Sequence, residues 1–365
     1  MYFSATGAPT PLVANCGGTH GFIQPGRSDL ERLERTVVQL VEARRLADFK
    51  DVAHGRLALL LLDNAAETML YRRAKTALIE ADWYGNALRS LADIQENDNE
   101  ELRAFREELE SKSVSEKTRE KIERNFSDLV RFVFTRRDCD LEEELAGCLN
   151  ALHRYRNDAY HADFVRADVL GPANEIYFYL CCRLLKAQKY MTWPMGDPPA
   201  IVAELLGLDL QRPSGLWDEK SLGDSVADEL LARSHLDHKG ISSVLAAHLT
   251  ARVGTLNKNL DEFIDYIGLV DRSSALRAIQ LEPLSGERRV GPEDFWTHPL
   301  VVTEKTIQGW ARRAASIETL ASAQEALRQF DETEKAVASF EDQLEPFMIA
   351  MDREIQHDID EMRGK

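Results

Sequence analysis

Arg156 and His161 are the pair of side chains whose types and spacing best suit work on a phosphodiester. A planar guanidinium can grip a phosphate through two parallel hydrogen bonds, and an imidazole can give or take a proton near neutral pH. Both lie at the polar end of an amphipathic helix. Leu141, Leu145, Leu149 and Leu152 recur at steps of four, four and three residues, one apolar stripe at helical spacing. Arg156 falls four residues beyond Leu152, so the stripe delivers a guanidinium that is either paired inside the fold or aimed at an anion across an interface. His161 comes five residues later, roughly 140° round an ideal helix. The two side chains therefore converge only if the helix unwinds near Asn157–Asp158, residues whose side chains compete for backbone groups. Meeting at such an end, they could hold a phosphate and move a proton.

The segment Arg156-Asn157-Asp158-Ala159-Tyr160-His161 resembles the R-x(4–6)-H signature of the HEPN superfamily, including the polar residue usual after the Arg. Arg154 would satisfy the longer spacing, and Arg156 is preferred because Asn157 follows it. The resemblance covers a little under half the chain. It implies an all-α domain and a metal-independent endoribonuclease of toxin–antitoxin, abortive-infection or other antiphage type. It also implies that Arg156 and His161 carry the chemistry and that Asn157 orients them, with Tyr160 and Arg154 as weaker candidates for RNA contact. A ribose 2′-OH would lose its proton and attack the adjacent phosphate, leaving a 2′,3′-cyclic phosphate and a 5′-OH. One His cannot readily make both proton transfers, and the resemblance implies a homodimer with paired sites. No cofactor and no metal is expected. In some toxins of this superfamily a Tyr two residues after the His is modified by a partner enzyme; here that position is Asp163, which could pair with His161 or Arg166.

Two other readings remain open on the residues alone. In one, Arg156 and His161 only brace a catalytically silent dimerisation or ligand-binding module. In the other, the chain is a regulator that binds protein through its C-terminal helices, and its activity survives loss of His161.

Composition narrows the classes. The chain of 365 residues carries a formal net charge of −17, so it is not a general nucleic-acid coater, and work on RNA needs a local basic cleft. The longest apolar run, Leu57–Leu62, is far short of the roughly 20 residues of a membrane span. No N-terminal segment combines basic residues, an apolar core and a cleavage site, which reads as cytoplasmic. Five cysteines, without a C-x2-C pair, read as free thiols in a reducing compartment. Cys139, Cys148 and His153 fit no standard zinc spacing, and Cys148 sits on the apolar stripe as a small buried thiol.

The elements that must position the motif follow from periodicity. Residues 1–27 read as an extended N-terminal arm. Residues 28–195 read as a helical bundle. Its first helix starts at Ser28 with a capping-box pattern to Glu31, buries Leu30, Leu33, Val37, Leu40 and Val41, and runs to about Lys50. The second, near Val52–Ala81, is apolar on every face over Leu57–Leu62, so it is buried or shared with a second subunit. It carries Asp63 and Glu67 one turn apart. Buried, these carboxylates need a partner, and Arg156 is a plausible one; otherwise they form a solvated edge. A long early helix with an acidic residue here also resembles HEPN domains. Residues 91–120 read as an exposed excursion, and Glu116–Phe134 as one helix anchored by Ile122, Phe126, Leu129, Val130 and Val133. It ends in Arg136-Arg137, a candidate basic lip. A further helix follows Gly171-Pro172, with Pro in its first turn and Tyr177 and Tyr179 either core or groove-lining. Because this helix and the second are too apolar for one small bundle, a symmetric dimer is expected.

Residues 196–285 read as a helical middle region. Ala200–Leu208 is too isolated for a helix-turn-helix, and Leu216–Val270 forms two helices broken near His235–Gly240. His235, His238 and His248 read as dispersed surface residues. Residues 286–365 read as a C-terminal hairpin or coiled-coil-like region after a polar connector. Phe330, Val337, Leu344 and Met351 recur every seven residues, with Phe340 and Phe347 three after two of them. Pro346 should split this seam into two helices. With 14 acidic and 8 basic residues from Thr303 onward, the region suits a protein partner such as an antitoxin or regulator.

Overall fold

The fold is described from a computed structural model, which places residues 25–91, 100–136, 139–161, 167–188, 198–208, 219–269, 271–281, 291 and 293–364; side chains at 25–29, 161, 167 and 219–221 lie outside the described set. Among these residues the chain is all-α, with no strand. In order, the helices are α1 (Pro25–Ala47), α2 (Val52–Leu91), α3 (Glu100–Lys112), α4 (Glu116–Arg124), α5 (Phe126–Phe134), α6 (Glu144–His161) and α7 (Ala167–Lys186). After these come α8 (Ala200–Leu206), α9 (Glu219–Arg233), α10 (His238–Ile267), α11 (Arg272–Leu281), α12 (Glu304–Ser316) and α13 (Ala323–Met362), with a 3₁₀ turn at Ile317–Thr319. None is long and apolar enough to cross a membrane.

Helix α2 is the spine of the N-terminal half. Asp51 caps its start by accepting the His54 backbone N–H at 2.9 Å, and a run of Ala and Leu then favours a long helix. One face packs on α1 and another on α7. The run Leu57–Leu62 is not buried throughout: Leu59 and Leu62 are in the core, Leu57 is half exposed. The expected stripes are otherwise where periodicity puts them. Leu33, Val37 and Leu40 of α1, and Leu145, Leu149 and Leu152 of α6, are buried in one apolar cluster with α2 and α7.

Several boundaries differ from expectation. Helix α1 begins at Pro25, so Ser28 lies inside it and not at its N-terminal boundary. The helix expected over Glu116–Phe134 is broken at Asn125, which ends α4 and caps α5 by accepting the Asp128 N–H at 3.0 Å. Asn at that point offers the backbone an alternative to continuing the helix. Helix α7 starts at Ala167, so Pro172 lies within it rather than in its first turn. Ile176, Tyr177, Phe178, Leu180, Leu184 and Leu185 of α7 are all buried within one chain, against α2, α9 and α10. The apolarity of that helix therefore needs no second subunit.

Helices α10 and α13 each run through two apolar clusters. Leu245 and Leu249 of α10 join Leu327 and Phe330 of α13 in the first; Val253, Leu256, Leu260 and Phe263 join Val337, Phe340, Leu344 and Phe347 in the second. Between them lies a polar layer of Arg252, Thr333 and Glu334. The seven-residue seam is thus filled inside the chain, chiefly by α10, with α6 and α12 also packed on α13. Helix α13 is one helix through Pro346, not two. Pro346 sits on its exposed side, where the carbonyl deprived of its donor can turn to water. The break comes earlier, at the 3₁₀ turn before Ser322, which caps α13. Helix α11, which periodicity did not flag, packs Leu276 and Ile279 into the second cluster.

Candidate functional site

The motif helix α6 runs antiparallel to α2, and one α2 carboxylate organises the contact. Asp63 is fully buried. Its Oδ1 accepts the Tyr177 hydroxyl at 2.6 Å and lies 2.8 Å from His153 Nδ1; its Oδ2 lies 2.7 Å from Arg156 Nη2. Two helices, α6 and α7, thus bring a Tyr, a His and an Arg to one carboxylate of α2, as a charge removed from water requires. The Arg156–Asp63 contact is an ion pair lying off the hydrogen-bond direction, and Arg156 Nε is buried without an acceptor among the described residues. Nη1 donates to Asn157 Oδ1 at 2.7 Å. Arg156 therefore has its charge paired but its donors incompletely used, and its side chain keeps 23 % exposure.

The shell around this centre is apolar. Phe126, at the start of α5, stacks on His153 with ring centroids 4.0 Å apart and 9° between planes. Burial, and then the Asp63 charge, push the Tyr177 hydroxyl well above the usual phenol range, so it stays a donor.

The unwound turn expected near Asn157–Asp158 is not present, since α6 is helical through His161. Two contacts explain why. Asn157 is occupied by Arg156 instead of competing for backbone groups, and Arg56 of α2 donates to the Ala159 carbonyl at 2.6 Å, holding the last turn. On a continuous helix the two residues depart about 140° apart. The side chain of His161, with Asp163 and Arg166, lies outside the described residues.

The other expected residues are divided. Asp63 is the partner of Arg156, whereas Glu67 is exposed; four residues of helix turn about 400°, enough to carry it from the buried face to its rim. Arg154 points away from Arg156 as expected, yet it is not simply solvated: Nη2 is 3.6 Å from the buried Glu334 of α13. Tyr160 is exposed. Sequence reading missed His153 and Tyr177 as members of the centre. The signal for His153 was available, because it precedes Arg156 by three residues and shares its helix face; Tyr177 offered none beyond burial.

No group of three or more His, Cys, Asp or Glu side chains able to hold a metal ion occurs among the described residues. Cys139, Cys148, Cys181 and Cys182 are free thiols, the last three buried. Asp237 caps α10 by accepting the Gly240 N–H at 2.8 Å, with His235 and His238 on either side. His248, expected at the surface, is instead buried beside Phe330, at a ring distance of 5.3 Å.

A cleft of about 670 Å³ opens along α2, walled by Arg32 of α1 and by Ile122, Leu129 and Val133 of α4 and α5. Glu67 lines it one turn from Asp63, but Arg156 and Asn157 do not. Arg136, the expected basic lip, does line it and pairs with Glu80 at 3.2 Å; Arg137 lies outside the described residues. Comparison of the chain with family models, with curated proteins and with solved structures finds no match.

Proposed function

We propose that the protein is a metal-independent endoribonuclease of HEPN type, acting in a toxin or antiphage defence system. The observation that supports this is the seating of Arg156. The Arg of the R-x4-H segment is held by a single carboxylate from the long early helix, braced by Asn157, and keeps part of its side chain exposed. In this reading Arg156 holds the scissile phosphate and offsets its transition-state charge. His161 moves the 2′-OH or leaving-group proton. Because the two leave α6 on different sides, the pair is completed across a homodimer, where two His161 residues share the proton transfers. Asp63 acts through Arg156 as a positioning residue, and His153 and Tyr177 act through Asp63.

The same ion pair favours one rival reading. Arg156 is already neutralised by a buried carboxylate, as it would be in a catalytically silent helical module. Expression of wild type and His161→Ala in cells, followed by mapping of RNA ends, separates the two. New 2′,3′-cyclic phosphate ends that require His161 and persist in chelator support the nuclease. Identical ends from both proteins, or none from either, support the silent module.

A further inference from the structure

His153 is held in the Asp63 centre more tightly than the filling of space requires. Its Nδ1 lies 2.8 Å from Asp63 Oδ1, and Phe126 stacks on one face of its ring at 4.0 Å with 9° between planes. A hydrogen bond at the edge and a stack on the face together fix the direction of the imidazole. The Asp63 carboxylate can only accept, so the ring nitrogen that meets it is the protonated one and Nε2 carries the lone pair. Nε2 makes no hydrogen bond to another described residue, and the side chain keeps 20 % exposure. With Nδ1 on the buried carboxylate and one face under Phe126, that exposure belongs to the open face and the Nε2 edge. Arg156 follows His153 by one helical turn on α6 and lies against Oδ2, the other oxygen of the same carboxylate. A phosphate that reaches the exposed part of Arg156 therefore arrives beside His153.

We infer that His153 is the general base of the cleavage, its Nε2 removing the 2′-OH proton while Arg156 holds the phosphate. The inference deepens the proposed function, rests on its cleavage of RNA, and gives His153 the transfer otherwise left to a second His161. The 2′-oxygen, freed of its proton, forms a bond to phosphorus, and the bond from phosphorus to the 5′-oxygen breaks. The 5′-oxygen leaves with a proton from His161. Water afterwards takes the proton from His153 and returns one to His161, so the protons balance. Asp63 stabilises the imidazolium that forms at His153, as the buried carboxylate of an Asp–His pair does. Tyr177, donating to the same oxygen, holds that carboxylate in place. Because His153 and Arg156 share one face of α6, base and phosphate clamp come from one chain, and only the acid is needed from the second copy. A purely structural His153 would serve only as a donor to Asp63, and an amide could do that equally well.

The test uses the full chain and two short RNAs, one with ordinary linkages and one whose scissile linkage carries sulfur in place of the bridging 5′-oxygen. A thiol ionises near about 8.5, so the thiolate leaves without a proton and the second RNA needs a base but no acid. His153→Asn keeps an N–H donor near the place of Nδ1 and removes Nε2, with urea unfolding as the check that it is folded. Its kcat should fall at least about 100-fold on both RNAs, with little change in KM. His161→Ala should be slow on the ordinary RNA and regain most of its rate on the sulfur RNA. Wild-type kcat in folded His153→Asn overturns the inference and leaves His153 a brace for Asp63. A loss confined to KM also overturns it, as does recovery of His153→Asn on the sulfur RNA, which would make His153 the acid. If the Asn variant does not fold, the imidazole nitrogen resonances of wild-type protein decide. A ring protonated at Nδ1 alone is expected at His153, and a ring protonated at Nε2 overturns the base role. Wild-type protein that leaves no His161-dependent ends overturns the nuclease reading and this inference together. Cleavage by wild type and by folded His153→Asn alike overturns this inference alone.

Discussion

Two buried charge centres in this molecule are built in opposite ways. In the first, one carboxylate, Asp63, is served by Arg156, His153 and Tyr177 from two other helices. In the second, one guanidinium, Arg252 of α10, is held between Glu334 and Glu341 of α13, with Arg154 and His248 close to Glu334. Burial alone would lower the Arg252 pKa, and the two carboxylates more than reverse that, holding it above its usual value. Arg252 keeps only 9 % exposure against 23 % for Arg156. The second centre is closed: its cation faces two anions and sits where the two apolar clusters of α10 and α13 meet. The first leaves its cation facing one carboxylate, with part of its side chain at the surface. Among the described residues the Nε of each arginine is buried without an acceptor, so a spare donor does not tell the centres apart; what distinguishes them is how many anions hold the cation and whether it can be reached.

The comparison predicts the largest effect at the closed centre. Arg252→Ala strands two buried carboxylates and should cost about 3–5 kcal/mol in urea unfolding. Replacing Arg252, Glu334 and Glu341 together with Met, Leu and Leu should recover most of that loss, since a well-packed apolar layer can substitute for a structural ion cluster. If the triple variant instead abolishes RNA cleavage while remaining folded, the second centre is more than a strut.

The seam between the centres comes next. Helices α6 and α13 approach so closely at Gly147 that an added Cβ would overlap the Asp331 carboxylate. Gly147→Ala should therefore cost about 1 kcal/mol, read as a lower melting temperature, because the Asp331 carboxylate must swing away from α6 and leave its place beside Lys335. A neutral result would mean that the Asp331 side chain rotates clear without cost.

Tyr177→Phe removes one hydrogen bond to the buried carboxylate and should cost about 1.5–3 kcal/mol near pH 7. Its pH signature is more specific. The folded-state pKa of Tyr177 is raised, so the unfolded chain releases this proton first as pH climbs through about 10. Stability from this group is then complete below about pH 10 and is lost above it, as the linkage sign requires. Cys148 and Cys181, also raised by burial, begin the same loss nearer the ordinary thiol value of about 8.5. Urea unfolding should therefore show stability falling with rising alkaline pH, with a shallower fall above pH 10 in Tyr177→Phe; an equal slope in both proteins would remove Tyr177 from the account. The smallest effect is expected from Arg154→Ala. Its contact with Glu334 is long and its own side chain is about half exposed, so the loss should be within about 1 kcal/mol.

Much of this architecture was legible in local periodicity. The stripe of α6, the seven-residue seam of α13 and the break near His235 each depend on neighbours a few residues away, and each is where the pattern puts it. The Asp63–Arg156 pairing was legible as one of two alternatives, because a buried carboxylate demands a cation and Arg156 continues an apolar stripe. Boundaries were less so. Asn125, Pro172 and Pro346 act through capping and exposure, which depend on where each helix face ends up. Least legible were Tyr177, which reaches Asp63 across 114 residues, and Arg252, which reaches Glu334 across 82. Nothing in local pattern announces which polar residues will share a core. Helix α6 also shows how a strong local signal, Asn-Asp near a helix end, is overridden when another helix supplies Arg56 to its carbonyl.

The central claim is that Arg156 is held by Asp63 in order to work on phosphate. Arg156→Ala is a poor test, since it strands the Asp63 charge and would weaken the fold as well. Arg156→Lys keeps a cation for Asp63 but loses the planar fork. Unfolding and RNA cleavage should therefore be measured on the same preparation of this variant. The account predicts stability within about 1 kcal/mol of wild type with cleavage reduced at least about 100-fold. Wild-type cleavage by a folded Arg156→Lys protein would contradict it and leave Arg156 a brace.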